Sequence, residues 1–176
     1  DDQLAANPGM CVVASWHHPR VAKGRHTDSA AMNDIWNKVV SRGGLVLNGH
    51  NHIYTRSKPI GSDALPATKG ITQFVVGTGG VGFYTDEYVD SREALNIKSE
   101  YGLLKLELTD NSYSYKFIDI DNNILDQGSQ NLNCSTSTTT VTVPTTTVTP
   151  TTTPTATSTS TPSATTTISP TPSVTP

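Results

Sequence analysis

The rhythm of apolar and polar positions changes several times along this chain. Cys11-Val12-Val13-Ala14-Ser15-Trp16 is a short apolar run between Pro8-Gly9 and His17-His18-Pro19. It lacks a clean alternation, which predicts a strand buried on both faces, as parallel strands are. Residues 18–28 are polar, contain Pro19 and Gly24, and read as a loop. Met32, Ile35, Trp36, Val39 and Val40 then fall at helical spacing and predict one apolar helix face. Thr27, Asp28 or Ser29 can cap its start, and Gly43-Gly44 stops it. Leu45-Val46-Leu47 gives a second short buried strand ending at Asn48-Gly49. Strand, loop, helix, strand is the order of an α/β fold, in which a crossover helix covers one sheet face.

Ile71–Val76 predicts a third strand, which runs into Gly77-Thr78-Gly79-Gly80. Residues 84–100 are polar and mixed, and the expectation there is a short helix. Leu104, Leu106 and Leu108 alternate with polar residues, Asp110-Asn111-Ser112 turns the chain, and Tyr113, Tyr115 and Phe117 alternate on the return. That is an antiparallel hairpin with one wet face. The phase breaks after Phe117, because Ile118 and Ile120 take the opposite parity, so a bulge or a change of face is expected there. Asp121-Asn122-Asn123 then turns the chain into an edge strand at Ile124-Leu125.

Composition divides the 176 residues in two. Residues 135–176 hold 21 Thr, 7 Ser and 7 Pro, with no charged or aromatic residue. Frequent proline forbids a ladder there and no apolar face is present, so a disordered, extended, polyproline-like linker or stalk is expected. The composition also suits an O-glycosylated stalk. The expected division is therefore 1–134 folded and 135–176 linker, with room for a further domain beyond it, at the cell surface or in a secreted protein. Asn133-Cys134-Ser135 is an N-glycosylation sequon at the junction.

Twelve basic and fifteen acidic residues give a net charge of -3, with no basic cluster to act as a nucleic-acid footprint. The apolar runs are too short to span a bilayer. Cys11 and Cys134 are too far apart in sequence for a compact zinc knuckle. They suit either one disulfide closing almost the whole domain or a buried strand residue and a free thiol.

The five histidines are not scattered. His17 and His18 follow the first predicted strand, and His50 and His52 follow the second. In an α/β sheet the carboxyl ends of the strands form the ligand rim, so distant histidines are expected to meet there. Neutral imidazole suits borderline divalent and trivalent metals, which makes His17, His50 and His52 candidate ligands. His26 is a candidate in the intervening loop. His18 reads as a polar group satisfied by a carbonyl. No bridging carboxylate stands near, since Asp28 and Asp34 belong to the loop and the helix, so the cluster reads as incomplete.

Val12-Val13-Ala14-Ser15-Trp16-His17-His18-Pro19 and Leu45-Val46-Leu47-Asn48-Gly49-His50-Asn51-His52-Ile53-Tyr54-Thr55-Arg56 together resemble the last two motifs of the calcineurin-like metallophosphoesterases, and most of all their secreted, purple-acid-phosphatase-like branch. Phe74–Gly80 resembles that family's glycine-rich strand end, and Tyr101–Leu106 its G-x-L-x-L strand. The resemblance covers about residues 3–130 and implies the carboxy-terminal half of a four-layer α/β/β/α sandwich. It implies that His17, His50 and His52 are ligands of two divalent or trivalent ions (Fe, Zn or Mn), and that His26 lines the phosphate pocket. Tyr54 and Arg56 match the family's Y-x-R, with Thr55 where glutamate is common.

The implied activity is hydrolysis of small phosphate monoesters by metal-activated water. Phosphodiester or nucleotide hydrolysis is the near alternative, and a non-catalytic surface module on a mucin-like stalk the distant one. The family's first three ligand blocks are absent. The chain is therefore expected to begin inside a domain, to bind metal weakly and to be inactive alone.

Overall fold

The computed structural model describes residues 1–84, 88–132 and 134. The stretch 135–176 and Asn133 of the sequon lie outside the described residues. The chain opens with a short helix α1 (Asp2–Ala6), followed by strand β1 (Val12–Ser15). A single 3-10 turn (Ala30–Met32) leads into α2 (Asn33–Arg42) and then β2 (Gly44–Asn48). Strands β3 (Tyr54–Ser57), β4 (Thr72–Val76) and β5 (Glu93–Ile97) follow. The last three strands are β6 (Gly102–Leu108), β7 (Ser112–Asp119) and β8 (Ile124–Asn131).

Five strands form one mixed sheet in the order β1-β2-β4-β3-β5, with β1, β2 and β4 parallel and β3 antiparallel to both its neighbours. The other three form an antiparallel sheet, β6-β7-β8. Alternation along β2 separates two cores. Val46 faces α2 and packs with Trp36, Val39, Ile60 and Ile71. Leu45 faces the other way and packs with Tyr54, Phe74, Tyr113, Tyr115 and Phe117. The described residues thus build a helix layer and two sheets. They hold three layers of the expected four-layer α/β/β/α sandwich, and the second helical layer is not among them.

The helix stops where expected, at Gly43, whose φ of 76° lies in the left-handed region that glycine occupies freely. Its start differs from expectation. Asp28 does not cap it: its Oδ1 accepts from the Ala22 N–H and the carboxylate pairs with Arg92. Ile35 is also less buried than its spacing predicts, being 44% exposed. The expected helix in 84–100 is replaced by β5, which completes the sheet beside β3. Tertiary pairing overrode local composition there. Strand β8 runs well past Leu125, because β7 supplies a ladder as far as Asn131. The phase break after Phe117 is a register shift in the β7–β8 ladder, which lets Phe117 stay fully buried.

Two covalent or ionic ties close the fold. Cys11 and Cys134 form a disulfide across 123 positions of sequence. Asp126 of β8, 8% exposed, accepts from Tyr54 Oη at 2.7 Å and from Arg56 Nε and Nη2 at 2.8 and 3.1 Å. Tyr54 and Arg56 belong to β3, so this carboxylate bolts one sheet to the other. Burial and the neighbouring Asp126 push the Tyr54 hydroxyl far above its ordinary value, so it stays a donor.

Closing a loop of this length by a disulfide contributes on the order of 2–5 kcal/mol, mainly by restricting the unfolded chain. Reducing the bond, or replacing both cysteines by serine, is expected to lower the denaturation midpoint accordingly. Equal midpoints for oxidised and reduced chains would contradict this. Asp126→Ala leaves the half-buried Arg56 guanidinium and the buried Tyr54 hydroxyl without their shared partner and is expected to cost about 3 kcal/mol, read from chemical denaturation.

Candidate functional site

Parallel pairing puts the carboxyl ends of β1, β2 and β4 at one end of the sheet, where antiparallel β3 begins. The residues after β1 and β2 must therefore meet, and they do. Trp16 N–H donates to the Leu47 carbonyl, Gly49 N–H donates to the His17 carbonyl, and the Asn48 amide donates to the Trp16 carbonyl. His17 Nε2 and His50 Nδ1 come within 3.2 Å. His50 has a φ of 64°, a left-handed conformation uncommon for a residue with a Cβ. Such local cost concentrates at ligand sites. On its far side Asn51 is 3% exposed, and the chain presses its carbonyl so closely on Gly77 that a Cβ there would lie 1.9 Å from it. Gly77 is thus a packing requirement beneath the rim.

The loop after β1 brings in His26 and is held at both ends. Gln73 of β4 accepts from Arg20 N–H and Val21 N–H through Oε1 and donates to the Val21 carbonyl. At the other end Asp28 receives two hydrogen bonds from Arg92, which also binds Asp90. So anchored, the loop lays the His26 ring 3.9 Å from that of His50, centre to centre. His18 joins the same cluster, 4.1 Å from His50. Burial, then the charges of His26, His18, His17 and His52, holds the His50 imidazole below its ordinary value, so His50 favours the neutral form that can act as a ligand.

His52, the other expected ligand, meets a backbone carbonyl through one ring nitrogen, which leaves Nε2 free. Its Nδ1 lies 2.9 Å from the Gly82 carbonyl and its ring stacks on Tyr84 at 4.4 Å. Tyr84 also reaches His26, with Oη 3.0 Å from Nε2. Sequence reading passed over Tyr84, which sits where a polar, mixed stretch begins. An aromatic soon after the glycine-rich strand end was the available signal. Tyr54 and Arg56 of the Y-x-R motif point away from the rim, to Asp126 between the sheets.

Two nitrogens 3.2 Å apart suit neighbouring ligands on one ion with bonds of about 2.0–2.1 Å. A third donor does not converge: among the described residues no group of three His, Cys, Asp or Glu side chains could hold a metal ion. The nearest loop carboxylate, Asp28, is committed to Arg92 and Arg20. The described residues by themselves therefore do not fit a metal centre.

No protein-family model matches the sequence, and no curated protein matches it. Several solved structures share its fold, two of them as follows. One is GAP50, the anchor in the inner membrane complex of Plasmodium: 14% identity, TM-score 0.59, covering 78% of this chain and 41% of that one. The other is purple acid phosphatase PPD1 from yellow lupin (Lupinus luteus) seeds: 17% identity, TM-score 0.52, covering 68% of this chain and 24% of that one. The chain spans less than half the length of either. At these identities the likeness is one of fold: a mixed α/β architecture with two sheets.

The Arg92 clamp gives a pH prediction. Burial raises the Asp28 and Asp90 carboxyls, but hydrogen bonds and charge from Arg92 outweigh it and hold both below their ordinary value. A carboxylate depressed in the folded state contributes stability above its unfolded value and loses it as pH falls through the folded one. Acid unfolding is therefore expected below about pH 4. Arg92→Leu should cost about 1–3 kcal/mol at neutral pH and move that limb upward. An unmoved acid limb would show that the clamp is not what depresses the two carboxyls.

Proposed function

We propose that the histidine rim is one side of a phosphate-ester hydrolysing centre, and that this chain on its own is a non-catalytic surface module that keeps the rim. One observation carries the first half. Two segments distant in sequence, the connection after β1 and the turn after β2, bring His17, His26 and His50 together at one sheet end. Core packing does not call for this, since burial and then the neighbouring imidazoles oppose protonation of His50. In that reading His17 and His50 supply nitrogen donors to an ion such as Fe, Zn or Mn, and His26 faces a phosphate oxygen. His52 can join through Nε2 while its Nδ1–H donates to the Gly82 carbonyl. The substrate class is a small phosphate monoester, with a phosphodiester or nucleotide as the near alternative.

The second half is better supported for the chain as it stands. No third ligand converges among the described residues, and the fold is shared with an anchor as well as with a phosphatase. The Thr/Ser/Pro-rich stretch 135–176 suits a stalk. The Cys11–Cys134 disulfide suits an oxidising, secreted or cell-surface location.

The test measures phosphate release from an aryl phosphate by the chain with added zinc, manganese or iron, with and without chelator, alongside calorimetric metal titration. The expected result is no chelator-sensitive release, and weak metal binding that is lost in a His17→Ala/His50→Ala double variant. Chelator-sensitive release abolished by that variant would make the chain an enzyme in its own right. Metal binding unchanged in it would remove the rim from the site.

A further inference from the structure

Tyr84 touches three of the rim's histidine residues at once. Its hydroxyl lies 3.0 Å from His26 Nε2 and 3.4 Å from the His50 carbonyl oxygen, and its ring stacks on His52 at 4.4 Å with an interplanar angle of 22°. The Arg25 guanidinium lies 5.1 Å from the centre of the same ring. The side chain is half-buried, and it is the shared contact of histidines that come from two different segments of chain.

We propose that Tyr84 is the positioning residue of the histidine rim: its hydroxyl sets which ring nitrogen of His26 carries the proton, and its ring holds His52 turned toward the Gly82 carbonyl. The argument is one of donor counting. A tyrosine hydroxyl has one proton to give, and a carbonyl can only accept. With that proton donated to the His50 carbonyl, the hydroxyl can only accept from His26. His26 Nε2 must then carry a proton, and in the neutral ring Nδ1 is left as the free acceptor. The partner of one imidazole nitrogen in this way decides the chemistry open to the other. The ring makes a separate contribution. Stacked on His52, it holds that imidazole where Nδ1–H meets the Gly82 carbonyl and Nε2 is left open, so one residue sets which nitrogen each of the two rings presents.

The use of this arrangement in phosphate chemistry rests on the function proposed above. The arrangement itself is a property of the chain and is tested without metal or substrate. In a nitrogen-15-labelled chain at a pH where imidazoles are neutral, two-bond proton–nitrogen spectra assign each ring's tautomer, and exchange spectroscopy times the His26 Nε2 proton. The expected result is a protonated Nε2 whose exchange is slowed by its partner. Tyr84→Phe, which keeps the ring and removes the hydroxyl, should speed that exchange about tenfold while leaving the His52 ring shifts in place. Tyr84→Leu should move the His52 shifts as well. A His26 protonated on Nδ1 in the parent chain would overturn the proposal without any variant. So would a Phe variant whose His26 proton exchanges at the parent rate. Loss of the proposed function with both signatures intact would count against that function and not against Tyr84.

Discussion

The carboxylate of Asp126 sits between two sheets, and the rest of the domain is arranged around its need for partners. A charge withdrawn from water must be met by donors of good geometry. Here both donors come from β3, two residues apart, so Tyr54 and Arg56 must share the face that looks at the second sheet. A slip of one residue would turn that face toward the helix layer and leave the charge alone. The pair therefore fixes register more than it adds net stability. Register here has a chemical consequence, because β3 begins two residues after His52. Tyr54 stacks on Phe117 at 4.0 Å beside the same lock, so the shift in the β7–β8 ladder that keeps Phe117 inward belongs to the same constraint.

The rim is held by residues that are not histidines. Gln73 grips the backbone where the His26 loop starts, Arg92 grips Asp28 where it ends, and Asn48 ties the turn after β2 to the end of β1. Each is a buried or half-buried polar group with a fixed partner. Such anchors let an otherwise irregular loop hold one geometry. Burial, and then the crowded imidazoles, make the neutral form the favoured one at His50. The same surroundings that suit a ligand make His50 costly to protonate.

Much of this was legible in the sequence because it depends on local pattern. The two parallel strands, the helix between them and its glycine stop, the Tyr113–Phe117 alternation and its break all follow from side-chain period. The meeting of His17 with His50 follows from topology alone: two parallel strands joined by a crossover helix must end at the same edge. What was not legible depends on distant partners. Strand β5 has only Leu95 and Ile97 alternating about Asn96, too short a pattern to read by itself, and β3 supplies the ladder that makes it a strand. Asp28 resembles a helix cap until Arg92, far along the chain, claims it. Tyr84 lies in a polar stretch that gave no period, and His52 was assigned by its motif while Gly82 and Tyr84 determine where its ring goes. Tyr54 and Arg56 were read as part of a motif beside the site, and their partner lies 70 or more positions away on β8.

The disulfide has a mechanical meaning as well as a thermodynamic one. Cys134 lies just past the last strand and Cys11 just before the first, so the bond joins the two ends of the sheet-forming region. A pull applied through the residues after 134 and resisted at the start of the chain runs along a covalent path from one sulfur to the other. The strands, the Asp126 lock and the histidine rim, all within the 123 bridged positions, carry none of that load. A domain on a tether exposed to flow or to neighbouring surfaces would keep its register while the line is taut. Cutting the one bond would put the full tension on β8, whose Asp126 joins the sheets.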